Sequence, residues 1–145
     1  LDNQRLQQAL LAWQDQVLGQ RNPKDDQVAV DGKELLNSQG LEVVSAYSVR
    51  DGRWLGSEPV AQGSNEIPAA QQLLRRTDLE GSLVTADALH TQAETARIVV
   101  QDRGADFLFT VKGNQPGVAQ NLQQLSQSVA RAFSPSGPNV PGANL

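Results

Sequence analysis

Three segments rich in apolar and β-branched residues follow one another closely in the first half of the chain. They are VAVD (28–31), LEVVSAYSV (41–49) and RWLGSEPVA (53–61), and Asp51-Gly52 lies between the second and the third. An Asp-Gly pair between two such runs is a strong hairpin signal. Because a parallel crossover needs about a dozen residues or more, three strands joined this closely predict an antiparallel meander.

Helices and strands are predicted to alternate after the meander. Helices are predicted over 4–18, 65–76, 91–100 and 118–129, and further strands over 82–87 and 107–111. Thr91 and Glu94 form a capping-box pattern at the start of the third helix, and Gly104 is expected to close it. This order predicts an α/β fold of the ribonuclease-H-like type, with a mixed sheet (a three-strand antiparallel meander and then parallel strands) and helices on its faces.

The same pattern divides the chain into three regions. Residues 1–22 are predicted to form an N-terminal helix and linker that remain from an upstream region, since the chain begins at Leu1. Residues 23–132 form the predicted core. Residues 133–145 are rich in Pro, Gly, Ser and Asn, a composition typical of disorder.

Composition excludes several kinds of site. The chain has no cysteine and one histidine, so disulfides, thiolate zinc sites and paired-histidine catalysis are ruled out. It has no apolar run of the ~18–20 residues that cross a bilayer and no secretory signal, and a cytoplasmic location is expected. The net charge of −4 disfavours unaided binding to DNA, since phosphate neutralisation supplies most of that affinity. A carboxylate metal site remains possible.

Two aspartates stand at the ends of predicted buried strands. Asp31 is followed by Gly32, and Asp87 is followed by Ala88. Ligand sites gather at the carboxyl ends of parallel strands, and two carboxylates there could share a hard cation such as Mg²⁺. The alternative interpretation is that each aspartate caps the turn after its strand.

Several motifs in this order resemble one protein family. VAVDGKELL, SNEIPAAQQLL, LVTADALHTQAETARIVV and FLFTVKGNQPGV are similar to the catalytic core of bacterial insertion-sequence transposases, of the DDE class and its H-repeat-associated branch. The resemblance covers roughly residues 13–125. It implies a ribonuclease-H-like fold and metal-dependent cleavage and strand transfer of DNA in the bacterial cytoplasm, and it allows a homo-oligomer.

The resemblance also assigns roles to particular residues. Asp31 matches the first catalytic aspartate and Asp87 the second, with Mg²⁺ or Mn²⁺ as the cofactor. Transposon-end and target DNA are the implied partners. The candidate DNA contacts are Lys33, His90, Lys112, Asn114 and Gln115. For these residues a solvated turn, a helix-entry loop or, for His90, a structural role is the alternative.

The chain departs from the family at the third acidic residue. The family has a glutamate on a helix beyond the KGNQ segment, but no Asp or Glu follows Asp106 here. The sequence therefore predicts an incomplete, truncated core that holds metal weakly. A non-catalytic remnant that binds DNA or a partner weakly is the alternative function.

A signalling receiver domain is a further alternative, because Asp87 and Lys112 could stand for its phosphoacceptor and lysine. Such a domain has an acidic pair after its first strand, whereas Asp25 and Asp26 precede the strand here. The predicted hairpin also has no place in a receiver's parallel sheet.

Overall fold

The computed structural model describes residues 2–36, 40–113 and 115–132, with the backbone only for 129–132. The predicted tail, 133–145, lies outside the described residues. The chain divides into two compact units, residues 1–110 and 111–145. The first unit contains α1 (Asn3–Leu18), β1 (Gln27–Glu34), β2 (Glu42–Ser48), β3 (Trp54–Pro59), α2 (Glu66–Arg76), β4 (Leu83–Ala86), α3 (Ala93–Arg97) and β5 (Asp106–Phe109). The second unit contains α4 (Pro116–Ala132).

The five strands form one mixed sheet in the order β3-β2-β1-β4-β5. Strand β2 is antiparallel to both β1 and β3, whereas β1 and β5 are parallel to β4. The predicted meander followed by parallel strands is therefore confirmed. Helices α2 and α3 supply the long connections that parallel pairing requires.

The Asp51-Gly52 pair lies in the tight connection between β2 and β3, as the sequence predicts. Gly52 adopts a φ of 67°, a left-handed conformation that glycine tolerates without a steric penalty. The Asp51 carboxylate accepts a hydrogen bond from the Arg53 N–H at 3.1 Å. The connection closes where the Ser48 N–H donates to the Arg53 carbonyl at 2.8 Å.

One face of the sheet packs against α2 and the helical segment that contains α3. Leu73 and Leu74 of α2 are buried, as predicted, and they pack with Val28, Val44 and other apolar residues of the strands. Burying each leucine side chain stabilises the fold by about 1.5–3 kcal/mol. The opposite face carries the alternate residues of the same strands, and several of these, Tyr47, Leu83 and Leu108, are exposed.

Helix α1 forms where it is predicted, but polar side chains make its main contacts with the sheet. Gln7 donates to the Ser57 carbonyl at 3.0 Å and accepts from the Ser57 N–H at 3.2 Å. Gln14 makes the same pair of bonds with Trp54, at 2.9 and 3.1 Å. Both partners belong to β3, the strand at the end of the sheet, whose pairing with β2 shifts register between Ala46 and Tyr47. None of the α1 residues is buried.

The predicted capping box at Thr91 is wrong. Gln92 is the N-cap residue of α3 and makes no side-chain capping bond. The Thr91 hydroxyl instead donates to the Thr110 carbonyl at 2.6 Å, which ties the start of α3 to the end of β5. The helix continues as one π-helical turn, Ile98–Asp102, and Gly104 follows with a φ of 62°.

Helix α4 is the described element of the second unit. Its apolar residues Val118, Leu122 and Leu125 are each at least two-fifths exposed. None of the described helices is both long enough and apolar enough to cross a membrane.

Candidate functional site

Asp31 lies in β1, and Asp87 directly follows β4, the strand that runs parallel beside β1. The pairing of β1 with β4 runs from Gln27↔Leu83 to Val30↔Ala86, and Asp31 and Asp87 are the residues that follow this last pair. Asp87 has φ −74° and ψ 180°, which continues the extended direction of β4. Paired strands lie ~4.8 Å apart, and each aspartate is one residue beyond the last pair of this ladder. Both residues are exposed.

The position of Asp31 differs from the prediction in one respect. It does not end its strand, because β1 continues to Glu34 and pairs with β2 as far as Glu34↔Glu42. Only the parallel partner, β4, ends at this level. As far as Val30, β1 pairs with β2 on one side and with β4 on the other, whereas from Asp31 onwards it pairs with β2 alone. The Asp31 side chain is exposed at this point.

Asp87 also acts as a cap, which was the alternative interpretation of this residue. Its Oδ1 accepts a hydrogen bond from the Leu89 N–H at 3.0 Å. Its carbonyl accepts from the His90 N–H at 3.2 Å. These bonds start a single 3₁₀ turn, Ala88–His90, which fixes the backbone just after β4. Asp31, inside its strand, has no such turn to cap.

Glu66 is a site residue that the sequence reasoning missed. It is the first residue of α2, and the Asn65 side chain caps this helix by accepting from the Ile67 N–H at 3.0 Å. The Glu66 carboxylate packs on Gly32 so closely that a Cβ at position 32 would overlap it. A glycine inside a strand often marks such a close approach, so Gly32 was the available signal.

His90 lies on the other side of the same carboxylate. Its Nε2 is 3.4 Å from Oε2 of Glu66, and the residue is 2% exposed. Its Nδ1 is buried and has no hydrogen-bond partner among the described residues. Such burial does not fit the predicted contact with DNA phosphate, because the imidazole is covered by protein. The structural role, which was the alternative, fits the observed packing.

Glu66 and the aspartate pair lie on opposite faces of β1. Successive side chains of a strand point to opposite faces. Val28 and Val30 are buried on the α2 side, Gly32 continues that row towards Glu66, and Asp31 points to the other face. Consistent with this arrangement, no group of three or more His, Asp or Glu side chains in the described ranges is placed to hold a metal ion.

The remaining predicted residues fall in two places. Lys33 is exposed and lies two residues after Asp31, on the same face of β1. Lys112 and Gln115 belong to the second unit, where the Gln115 N–H donates to the Lys112 carbonyl at 3.0 Å in the turn before α4. This is the helix-entry geometry of the alternative interpretation. Asn114 lies outside the described residues.

Taken together, the described residues define a class of protein: an α/β domain with a mixed five-stranded sheet and two exposed aspartates directly after the last residue pair of two neighbouring parallel strands. No protein-family model matches the chain.

Sequence similarity to three named proteins defines the family more specifically than the fold does. The chain is 36% identical over 97 residues to "H repeat-associated putative transposase YhhI" of Escherichia coli K12, which is 62% of this chain and 25% of the relative. It is 35% identical over 97 residues to "H repeat-associated putative transposase YbfD" of the same strain, 62% of this chain and 38% of the relative. It is 38% identical over 95 residues to "Putative transposase YncI" of E. coli O157:H7, 61% of this chain and 24% of the relative.

These relatives confirm the resemblance to H-repeat-associated transposases. The matched segment spans between about a quarter and two-fifths of the length of these relatives.

Proposed function

We propose that this chain is part of a transposase catalytic core with a ribonuclease-H-like fold, in which Asp31 and Asp87 bind a divalent metal ion. The observation that carries the proposal is that the two aspartates directly follow Val30 and Ala86, the last residue pair between the neighbouring parallel strands β1 and β4. The strand order, with β2 alone antiparallel to the others, supports the fold. Similarity to proteins named transposases supports the activity.

The donor atoms at the site fit Mg²⁺ or Mn²⁺. Carboxylate oxygens and water are the ligands that Mg²⁺ prefers, and it is commonly bound through one or two carboxylates. A bound divalent ion would stabilise the charge that develops on a phosphodiester and activate the attacking oxygen. The role of Asp31 and Asp87 is to hold and orient that ion at an exposed position, where a large polymeric substrate has access.

DNA is the proposed substrate. Lys33 provides a positive charge on the same face of β1 as Asp31, within reach of a phosphate beside the aspartates. The net charge of −4 opposes docking on a polyanion, so binding must depend on local cations. We therefore expect weak affinity that falls steeply as salt rises.

Metal titration tests the site directly. We expect Mn²⁺ to bind the purified chain with an affinity no better than about millimolar, because two carboxylates leave most of the octahedral shell to water. Binding should be lost in Asp31→Ala and in Asp87→Ala. Asp106→Ala is the matched control, since Asp106 is an exposed aspartate at the opposite end of the parallel strands. Binding that survives both site substitutions would place the metal elsewhere.

A nicking assay on supercoiled DNA tests the activity. We expect no cleavage by the 145-residue chain with Mn²⁺, because two aspartates cannot fix two metal ions and no acidic residue follows Asp106. Cleavage that depends on Asp87 would show that a third acid is dispensable. For these 145 residues alone, the second candidate function is a non-catalytic domain, for which salt-sensitive DNA binding without metal-dependent cleavage is the expected result.

A further inference from the structure

The Glu66 carboxylate lies between the two segments that carry the aspartates. On one side it packs on Gly32, the residue after Asp31. On the other side it meets the imidazole of His90, three residues after Asp87, at 3.4 Å. Glu66 itself is 24% exposed, so it occupies a largely enclosed position beneath the sheet, on the α2 side.

The backbone of His90 connects its contact with Glu66 to Asp87. Its backbone N–H donates to the Asp87 carbonyl at 3.2 Å, and its own carbonyl accepts from the Gln92 N–H at 2.8 Å. The buried imidazole therefore anchors a turn whose first residue is the aspartate. A shift of His90 away from Glu66 would strain its hydrogen bond to the Asp87 carbonyl.

The aspartates lie just beyond the last ladder pair of their two strands. The described pairing of β1 with β4 ends at Val30↔Ala86, so ladder hydrogen bonds no longer set the spacing of the next residues. Glu66 contacts both chain segments one to three residues further on. It is therefore well placed to set the spacing between Asp31 and Asp87.

We propose that Glu66, acting through Gly32 and His90, is a positioning residue that fixes the turn after β4 against β1 and thereby sets the spacing of the two aspartates. The significance for metal binding rests on the function proposed above. The positioning itself does not, because it is a property of the metal-free chain.

Hydrogen exchange of the metal-free chain tests the positioning. Glu66→Ala should speed exchange of the Leu89 and His90 amides by about tenfold, because a local opening that is easier by ~1.4 kcal/mol raises its population by that factor. Glu58→Ala is the matched control, since Glu58 is 18% exposed and pairs with Arg76 at 2.6 Å. Equal exchange of these two amides in both variants, after correction for global stability, would overturn the proposal.

Mn²⁺-induced broadening of amide signals near residues 31 and 87 provides the second measurement. Glu66→Ala should weaken Mn²⁺ binding at least threefold more than Glu58→Ala does. Glu66→Gln, which keeps the size and shape of the side chain between Gly32 and His90, should largely restore both exchange and binding. Faster exchange with unchanged Mn²⁺ affinity would overturn the link to the aspartates. No Mn²⁺ binding by the wild-type chain would instead refute the proposed metal site, and exchange would still decide the positioning.

Discussion

Gly32→Ala is a small change with a defined consequence, because the space for the new methyl group is already occupied. An alanine Cβ at this position would overlap the carboxylate of Glu66. Gly32 does not have a positive φ, so alanine fits the backbone, and the penalty comes from the collision alone. Overpacking of this kind costs about 1–3 kcal/mol.

Two structural details set the expected size of the effect. Glu66 is 24% exposed, so its side chain can swing partly outward, and the cost should lie in the lower half of that range. Alanine also gains about 0.5–1 kcal/mol over glycine in a strand, because glycine loses more conformational freedom on folding. We therefore expect a net loss of about 1 kcal/mol in the free energy of unfolding.

A double-mutant cycle separates these contributions. In a Glu66→Ala background the obstacle is gone, and Gly32→Ala should be neutral or slightly stabilising. The coupling free energy should therefore be about 1–2 kcal/mol, as for residues in direct contact. Urea unfolding followed by tryptophan fluorescence is the suitable assay, because Trp13 and Trp54 both lie in the first unit.

Gly117→Ala is the matched control. Gly117 lies in α4, has no atom within 4 Å of an added Cβ and lacks a positive φ. Since it belongs to the second unit, the fluorescence midpoint should not fall. A Gly32→Ala cost that is equally large with and without the Glu66 side chain would refute the close approach described here.

Three further predictions concern other parts of the first unit. Leu73→Ala removes a fully buried side chain and should lower the free energy of unfolding by about 2–5 kcal/mol in the same urea assay, whereas a loss under about 1 kcal/mol would contradict its place in the core. Gln14→Ala should speed exchange of the Trp54 amide, which donates to Gln14, while the Ser57 amide, held by Gln7, should change less; equal changes at both amides would show that α1 detaches as a whole. Hydrogen bonding from Arg97 holds the pKa of Glu94 below its ordinary value. The stabilisation of the folded chain by this pair is therefore present above the unfolded-state pKa and is lost as pH falls through the lower folded-state pKa. Arg97→Ala should raise the Glu94 pKa in an NMR titration, and an unchanged pKa would contradict this cause.

The relative directions of the strands could be predicted from the sequence because they depend on the lengths of the connections. Short links make the first three strands antiparallel, and the long helical links after β3 allow parallel pairing. The end of β1 could not be predicted in the same way. The length of a strand depends on its partners. The pairing of β1 with β4 stops at Val30↔Ala86, whereas its pairing with β2 continues to Glu34↔Glu42.

The errors at the site have a common physical cause, which is contact between residues far apart in the chain. Thr91 has the local pattern of a cap, yet its hydroxyl bonds to Thr110, nineteen residues away. Glu66 contacts Gly32 and His90, which lie on either side of it in sequence. Local patterns describe neighbours along the chain, so they could not identify the distant partner in either contact.

The distance between Gln7 and Gln14 along α1 is nearly the same as the distance between their partners, Trp54 and Ser57, along β3. Seven helical residues, from Gln7 to Gln14, rise about 10.5 Å at ~1.5 Å each, and three strand residues, from Trp54 to Ser57, span ~10 Å. Outward-facing backbone groups of a regular strand recur every two residues, so a spacing of three requires an irregularity. The register shift in the pairing of β2 with β3 supplies it.

This match has a consequence for self-association. Each glutamine side chain occupies one N–H and one carbonyl at the edge of the sheet, the groups that an added strand from another molecule would use. A second chain could pair with this edge only if α1 first detached. Loss of the bulge would favour that detachment, because the backbone groups of β3 would no longer match the spacing of the two glutamines. The bulge and α1 therefore protect this edge of the sheet together. The bulge sets the spacing of the backbone groups, and the glutamines of the helix occupy those groups.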